Sequence, residues 1–583
     1  MSEVATKPCL VQTGQGFSVS YNGRFLYSKY APKKAIAQTV ANLSLLPGTL
    51  ILCASPCLWY GLPELLQKLP ADCFVLGIEV DAQLYEVAKA ELEKIRTASE
   101  GNFCGLPTTQ AQDARQSLPV ALLFPDELFD IVEIISSGKT KHDAAWNFSF
   151  PPIHRFRRAI MLEMSGGTAF YADTYKKIAF AAENTIATFW KNRLTLTKLG
   201  RLFSRNVFHN LSALPRSVPL SSYLKKICRP IVVFGAGESA GKTIASVPRT
   251  AWQDCYVLCV DAALSVLKAS KIKPDGIVAV ESQLAIEKAY IGCTDSTTSA
   301  SNRNQCPTLF SDMSSRKQVT THTGGNVVYF ASEFARTHFL EDLQTAGLLP
   351  PQIPALGSVG LTAVYLALQL RATTDIPVYV TGLDFSFSLG ATHTRGAPAH
   401  TARLCSANRL RPLANYDAAF RTGAQFVQGK NGGIFTDTAL SGYAQQFAGV
   451  FAGTKNLFDI GESGLDLGIV RRDLNFQNHG GSHAKPDDCP EIESDDFERL
   501  TPQVTAFFAE ERKALFRLKD LLVNGDAARS KTMTVQEEIG TILARREYLY
   551  LHFPDGYECK PNDISFLKRV RSEIDFFLKD MRD

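Results

Sequence analysis

The sequence predicts an α/β protein, with parallel sheets in two successive domains and a helical bundle at the C-terminus. Two buried strand-like runs, at residues 231–234 and 376–381, each lead into a turn that contains glycine. Short apolar runs of this kind are typical of interior parallel strands. Because ligands of open α/β sheets bind outside the carboxyl ends of the strands, these two turns predict the position of a site.

Composition places the chain among ordinary globular proteins. It has 583 residues, of which 21% are charged, and its net charge is +4. No dense Lys/Arg run occurs, so no nucleic-acid partner is predicted. No apolar stretch of ~18 residues predicts a membrane span. The N-terminus lacks the apolar core of a secretory signal, and the 13 cysteines are irregularly spaced. These features predict a cytoplasmic protein with reduced thiols.

Residues 1–220 are predicted to form a Rossmann-like domain. A hairpin turns at Asn22-Gly23, and strands and helices then alternate. Strands are predicted at residues 49–53, 73–79 and 129–135, and helices at 32–43, 58–69 and 82–95. Glu79 or Asp81 could imitate the ribose-binding acid of a nucleotide fold. The first strand leads into Ser55-Pro56 rather than a glycine loop, which favours a non-catalytic scaffold over a methyltransferase.

Residues 221–476 are predicted to form the central α/β domain, and residues 497–583 the helical bundle. A polar, Pro/Gly-bearing linker at residues 477–496 separates the two. Within the linker, His479, His483 and Asp487 only faintly resemble metal ligands, so no metal site is predicted. Thr501-Pro502 and the capping box from Thr534 to Glu537 mark helix starts in the bundle.

The glycine turn after residue 234 imitates two nucleotide-binding motifs. Residues 236–243 nearly match a phosphate-binding P-loop, but Pro248 would break the long helix that this motif requires. Gly235, Gly237 and Gly241, with Asp261 at the end of the next strand, imitate a dinucleotide site. Both signals are weak, since a lone glycine pattern is common.

A set of motifs in a fixed order resembles one known family. The set comprises residues 231–239, 260–264, 273–281, 357–359, 382–385 and 392–396. In this order they resemble the motility-associated factor (Maf) glycosyltransferases, whose central domain is similar to a 6-hydroxymethylpterin diphosphokinase, MptE-like. That domain is in turn similar to bacterial sialyltransferases that use a CMP-linked sugar. The resemblance covers most of residues 15–475 and implies a glycosyltransferase-like (sialyltransferase-like) central domain.

The resemblance implies transfer of a nonulosonic acid from a CMP-like nucleotide-sugar donor to Ser or Thr of flagellin. His393 is the implied general base, a role that a neutral imidazole suits at pH 7. His400 is its rival. We expect N–H groups at 237–239 and at a helix start near Ser358 to bind the leaving phosphate. The implied donor-binding residues are Gly235, Gly237, Glu238, Ser239, Asp261, Gly357, Ser358, Thr362 and Asp384.

Several alternatives remain open at this point. Asp384 could bind a sugar hydroxyl, or it could cap a helix or hold a loop. Ala236 and Asp261 occupy positions where the sialyltransferases have Asn. The whole chain could instead be a 6-hydroxymethyl-7,8-dihydropterin diphosphokinase, or a flagellin-binding protein whose catalytic site has decayed.

Overall fold

The computed structural model describes residues 7–101, 119–125, 128–138, 150–291, 306–321, 325–332, 334–335, 337–412, 416–472, 500–525 and 533–581. The chain forms two compact units, Met1–Thr195 and Leu196–Asp583. The predicted linker, with His479, His483 and Asp487, lies outside the described residues. The division of the second unit into a central and a helical domain stays a prediction.

The first unit begins with a small antiparallel sheet. Its strands are β1 (Cys9–Thr13), β2 (Gly16–Tyr21) and β3 (Arg24–Phe25), paired in that order. The predicted hairpin at Asn22-Gly23 is confirmed, and both turn residues have positive φ, 47° and 73°. Asn and Gly tolerate this left-handed conformation better than other residues do, which explains the position of the turn.

A parallel sheet forms the core of the first unit. Its strand order is β6–β5–β4–β7, and its strands β4, β5 and β6 are wholly buried. The strands are β4 (Thr49–Ala54), β5 (Phe74–Ile78), β6 (Val120–Leu123) and β7 (Arg158–Glu163). Helix α1 (Lys34–Asn42) precedes β4, and the helices between the strands are α2 (Leu62–Lys68), α3 (Ala82–Gly101) and α4 (Leu128–Ser137). The predicted βαβ order is therefore present, which agrees with the predicted fold class.

The strand predicted at residues 129–135 is wrong, because these residues form helix α4. Ile131, Ile134 and Ile135 are buried, and this spacing of three and four residues places them on one helical face. A short run rich in isoleucine does not by itself distinguish a strand from a buried helix. The strand that completes this part of the sheet is β6, which pairs with β5.

Gly77 on β5 leaves no room for a side chain. A Cβ there would lie 2.3 Å from Cη2 of the buried Trp59, whose Nε1 donates to the Ala88 carbonyl at 2.8 Å. We expect Gly77→Ala to lower the free energy of unfolding by about 1–3 kcal/mol, the usual cost of overpacking a core. The matched control is Gly14→Ala in the β1–β2 turn, where a Cβ meets nothing within 4 Å. Equal denaturation midpoints for the two variants would contradict this.

A 40-residue helix, α5 (Ala172–Leu211), continues from the first unit into the second, and the sequence did not predict it. Within the second unit, buried polar side chains of this helix form hydrogen bonds with a loop at the edge of the sheet. The side-chain N–H groups of Asn210 donate to the carbonyls of Met313 and Ser315, each at 2.9 Å. The helix therefore holds the segment that follows strand β11 (Thr308–Asp312).

The second unit is built on a parallel sheet with the strand order β13–β12–β11–β10–β9–β8–β14–β17–β18. The strands not yet given are β8 (Ile231–Phe234), β9 (Tyr256–Val260), β10 (Gly276–Ala279), β12 (Val327–Ser332), β13 (Gln352–Ile353), β14 (Val378–Thr381), β17 (Leu457–Asp459) and β18 (Val470–Arg471). From β8 the chain builds the sheet in one direction through β9 to β13. It then returns to add β14, β17 and β18 on the other side of β8. The order therefore reverses between β8 and β14.

Helices and one hairpin surround this sheet. The most buried helix is α9 (Val359–Leu370), which packs against β8, β9, β10 and β14. The other helices of this part are α6 (Glu238–Ser246), α7 (Leu264–Ala269), α8 (His338–Thr345), α10 (Pro398–Ser406), α11 (Asp417–Phe420) and α12 (Thr438–Phe451). The antiparallel hairpin is β15 (Gln425–Gly429) with β16 (Gly432–Thr436).

The helices at the C-terminus follow the prediction closely. They are α13 (Thr501–Asn524), α14 (Val535–Ala544) and α15 (Ile564–Asp580). The capping box between Thr534 and Glu537 is present, with both reciprocal bonds. Their apolar faces share one core with residues of α5, α8 and β12, so these faces are core rather than exposed surface. Among the described residues, no helix is both long and apolar enough to cross a membrane.

Candidate functional site

The reversal of strand order places the two predicted turns side by side. The Gly235 N–H donates to the Thr381 carbonyl at 2.7 Å, and the Gly237 N–H donates to the Gly382 carbonyl at 2.8 Å. A Cβ on Gly235 would lie 2.2 Å from the Gly382 carbonyl oxygen, so only glycine fits. Ligands of open α/β sheets bind at such a switch point. This carboxyl edge of β8 and β14 is the candidate site.

Asp384, just past β14, is joined to the start of α6. The Ser239 N–H donates to Asp384 Oδ2 at 2.8 Å, and the Ser239 hydroxyl donates to Oδ1. The same hydroxyl accepts the Gly382 N–H at 2.8 Å. The carboxylate therefore caps a helix in which Gly237, at the N-cap position, has no side chain to do so. This is the alternative role considered for Asp384, and a contact with a sugar remains a prediction.

This capping has a consequence for the predicted phosphate site. The N–H groups of Gly237 and Ser239 are both used within the protein, so they do not point at a ligand. A carboxylate already occupies the N-terminus of α6, where it would repel a phosphate. Another source of N–H donors is therefore needed at this edge of the sheet.

The start of α9 provides such donors. A Cβ on Gly360 would lie 2.4 Å from Leu383 Cδ2, the same atom that a Cβ on Gly235 would approach to 2.5 Å. The two predicted glycine segments therefore meet on Leu383. Ser358 precedes α9 without a side-chain cap. Among the described residues, no partner accepts the N–H groups of residues 359–361, and such free amides attract anions.

Gly357 and Thr362, two further predicted donor-binding residues, flank this helix start. Gly357 is exposed and has a φ of 67°, a conformation that favours glycine. Thr362 is buried, and its hydroxyl donates to the Ser358 carbonyl at 3.2 Å within the helix. The geometry thus gives Thr362 a structural contact, whereas Gly357 lies at the surface beside the free amides.

The loop that carries His393 crosses the start of α6. The Thr394 N–H donates to the Ala236 carbonyl at 2.9 Å, and the Ser265 hydroxyl donates to the Gly396 carbonyl at 2.9 Å. His393 Nδ1 lies 3.1 Å from the Thr392 hydroxyl. Burial lowers the pKa of His393, and the positive charges of Arg403 and His400 lower it further. The imidazole is therefore neutral at pH 7 and able to accept a proton.

Asp261, at the end of β9, is buried with an unsatisfied oxygen. Its Oδ1 accepts the Ala262 N–H at 2.6 Å, whereas no described residue donates to Oδ2. Burial raises the pKa of Asp261 to about 7, and the nearby charge of Glu281 contributes to the rise. A buried oxygen without a donor is costly, so this atom is suited to accept a hydrogen bond from a ligand.

Glu238 opens α6 and is engaged by neighbouring side chains. It accepts a hydrogen bond from Ser388 and forms an ion pair with Lys242 at 3.1 Å. Burial acts to raise its pKa, but the contacts with Ser388 and Lys242 leave the pKa below its ordinary value. Glu238 is therefore ionised at pH 7, and it links α6 to the segment before His393.

The sequence did not identify Lys430 as part of this edge. It lies in the turn between β15 and β16, where a lysine is normally solvated. Its Nζ forms an ion pair with Asp459 Oδ2 at 2.5 Å, and both side chains are 2% exposed. Burial raises the pKa of Asp384 to about 6, while Ser239 and Lys430 lower it and Asp459 raises it further. The positive charge of Lys430 thus offsets part of the negative charge of the buried Asp384 and Asp459 carboxylates.

In the first unit, the acids considered as ribose ligands are occupied by protein hydroxyls. Ser55 and Tyr175 donate to Glu79 at 2.8 and 3.1 Å. Tyr21 donates to Asp81 at 3.0 Å. Burial raises the pKa of Glu79 to about 7. These bonds satisfy the carboxylates internally, which supports the interpretation of this unit as a scaffold.

Known proteins are similar to this chain over nearly its whole length or over part of it. A protein of Treponema pallidum (strain Nichols), described as uncharacterized, is 29% identical over 590 residues, which cover 98% of this chain and 94% of that relative. A solved structure of a MAf glycosyltransferase from Magnetospirillum magneticum AMB-1 aligns with this chain with a TM-score of 0.47 and 14% identity. The alignment covers 99% of this chain and 91% of the chain in that structure. Residues 205–390 match the family described as 6-hydroxymethylpterin diphosphokinase MptE-like, so the predicted MptE-like resemblance is confirmed for these residues. The domain bounds 221–476 stay a prediction.

Proposed function

We propose that the chain is a glycosyltransferase that moves a nonulosonic-acid-type sugar from a CMP-like donor to Ser or Thr of flagellin in the cytoplasm. One observation carries the proposal. The Gly235 turn, the end of β14, the start of α9 and the His393 loop all meet at the reversal point of a parallel sheet. A sugar nucleotide needs such a crevice, with N–H donors for its phosphate and a base for the acceptor.

Each group of residues at the candidate site has a separate role in the proposed reaction. Neutral His393 accepts the proton of the acceptor hydroxyl as its oxygen attacks the anomeric carbon. The bond from that carbon to the phosphate oxygen breaks, and the free N–H groups of residues 359–361 stabilise the departing phosphate. Asp261 Oδ2 accepts a hydrogen bond from a hydroxyl or amine of the donor. No step in this scheme requires a metal ion.

The segment after His393 favours a protein acceptor. Several large apolar side chains in residues 404–412 and 416–426 are largely exposed. They are Leu404 (48%), Leu410 (89%), Phe420 (76%) and Phe426 (69%). Exposed apolar side chains in one segment are typical of surfaces that bind another protein. A flagellin chain in contact with this segment would lie close to the His393 loop.

A pterin diphosphokinase is the second candidate, because the description of the matching family names that activity. It would transfer diphosphate from ATP to a hydroxymethyl group. The occupied N-terminus of α6 argues against a triphosphate at the Gly235 turn, since Asp384 takes the place of a phosphate there. Mass spectrometry of a mixture with ATP, Mg²⁺ and hydroxymethyl-dihydropterin would detect the diphosphate product.

A nucleotide panel in a thermal-shift assay tests the donor class. We expect CMP to raise the melting temperature more than UMP, GMP or ATP. At 100 times its dissociation constant a ligand stabilises by about 2.7 kcal/mol. Intact-mass analysis of flagellin incubated with the protein and a CMP-linked nonulosonic acid then tests transfer. Copurification with flagellin without any nucleotide shift would indicate a binding protein with a decayed site, and a shift with ATP alone would favour the kinase.

A further inference from the structure

Helix α10 begins two residues after Gly396, at the end of the His393 loop, and it carries cationic side chains. His400 and Arg403 are three residues apart, so they lie on the same face of the helix. The loop before them is fixed by the Thr394 and Gly396 bonds described above. The position of this helical face is therefore tied to α6 and α7 at the edge of the candidate site.

Arg403 is half-buried, and no described residue provides an acid or a hydrogen-bond acceptor for its guanidinium. Two arginines further along the chain are paired. Arg411 contacts Asp417 at 2.6 Å, and Arg421 contacts Asp437. None of its nitrogens is among the buried unpartnered atoms of the described residues, so the guanidinium is accessible. An accessible and unpaired guanidinium beside a candidate site is available to bind an anion from outside the protein.

His400 and His393 complete the group. Burial lowers the pKa of His393, and Arg403 and His400 lower it further, which agrees with their position on the helix that follows the His393 loop. Nδ1 of His400 is buried and has no hydrogen-bond partner among the described residues. Positive charge and an unsatisfied ring nitrogen thus occur together, next to the proposed base.

We propose that Arg403 and His400 form an oxyanion subsite beside His393 that binds the carboxylate or the phosphate of the donor. This inference rests on the proposed function. The planar guanidinium matches the two oxygens of either group. In a CMP-linked nonulosonic acid, the carboxylate and the phosphate are both attached to the anomeric carbon. Binding either one therefore places the reacting carbon next to His393.

Isothermal titration calorimetry with separate probes tests the subsite. The probes are CMP, uncharged cytidine, inorganic phosphate and N-acetylneuraminate, which carries a carboxylate but no phosphate. We expect Arg403→Gln to weaken binding of an anionic probe about 10- to 100-fold, as the loss of charged hydrogen bonds predicts, and to leave cytidine unaffected. The control is Arg409→Gln, which removes an exposed arginine of the same segment and should change nothing.

The probes also distinguish the source of the anion. Weaker binding of N-acetylneuraminate alone assigns the subsite to the carboxylate, and weaker binding of CMP and phosphate assigns it to the phosphate. Equal affinities of the wild type and Arg403→Gln for all anions, or no anion binding by the wild type, would overturn the proposal. Binding of N-acetylneuraminate and phosphate with no preference for CMP over UMP would retain the subsite and refute the proposed donor.

A second measurement does not depend on any ligand. In the NMR titration of histidine-labelled protein, Arg403→Gln should raise the pKa of His393, because a nearby positive charge is removed. An unchanged His393 pKa in a folded Arg403→Gln variant would show that Arg403 is too far from His393 to share a ligand with it.

Discussion

Lys430→Met is expected to lower the free energy of unfolding of the second unit by about 3–5 kcal/mol, the cost of leaving one member of a buried ion pair alone. The side chains of Lys430 and Asp459 are each 2% exposed. Without the lysine, Asp459 keeps, among the described residues, only the Gly461 N–H at 2.9 Å as a donor to its carboxylate, and Asp384 loses a favourable positive charge. Urea denaturation monitored by tryptophan fluorescence measures the loss.

Two matched variants separate charge from packing. Lys430→Met combined with Asp459→Asn removes both charges and should recover most of the stability, because a neutral buried pair carries no uncompensated charge. Lys519→Met breaks a similar pair, Lys519 with Asp575 at 2.6 Å, whose side chains are 38% and 56% exposed. It should cost about 0–1 kcal/mol. A similar loss for Lys430→Met and Lys519→Met would contradict the buried-pair interpretation.

Local patterns in the sequence predicted elements both at the candidate site and in the C-terminal helices. Strand β8 and the Gly235 turn are recognisable because four buried apolar residues lead into glycine. The start of α14 is recognisable because a capping box involves residues only three positions apart. Information of this kind lies within a few residues of each element, so no knowledge of the fold is required.

Contacts between distant residues were not predictable in the same way. Ser239 and Asp384 are 145 positions apart, so the sequence could not show that the carboxylate uses the Ser239 N–H. Lys430 occupies a hairpin turn, where its burial depends on the neighbouring β17. Residues 128–137 form a helix rather than a strand because their isoleucines pack against the parallel sheet of the first unit. In each case the fold, rather than the local pattern, determines the environment.

His393→Ala is expected to slow sugar transfer by about 10²–10⁴-fold, the usual contribution of a general base, without weakening CMP binding. His400→Ala tests the rival base. If His400 acts only at the anion subsite, its loss should weaken donor binding and leave the rate at saturating donor largely intact. A large loss of saturating rate in His400→Ala, with a normal rate in His393→Ala, would reverse the assignment.

The pH dependence of the rate provides a second test of the same base. The neutral form of His393 is active, and this form predominates above its pKa, which burial, Arg403 and His400 lower from 6.5. The rate at saturating donor should therefore rise with pH through a value below 6.5 and be constant near pH 7. Arg403→Gln should move this rise to higher pH, since one of the charges that favour the neutral imidazole is lost. A profile that is identical in the wild type and Arg403→Gln would mean that the titrating group is not His393.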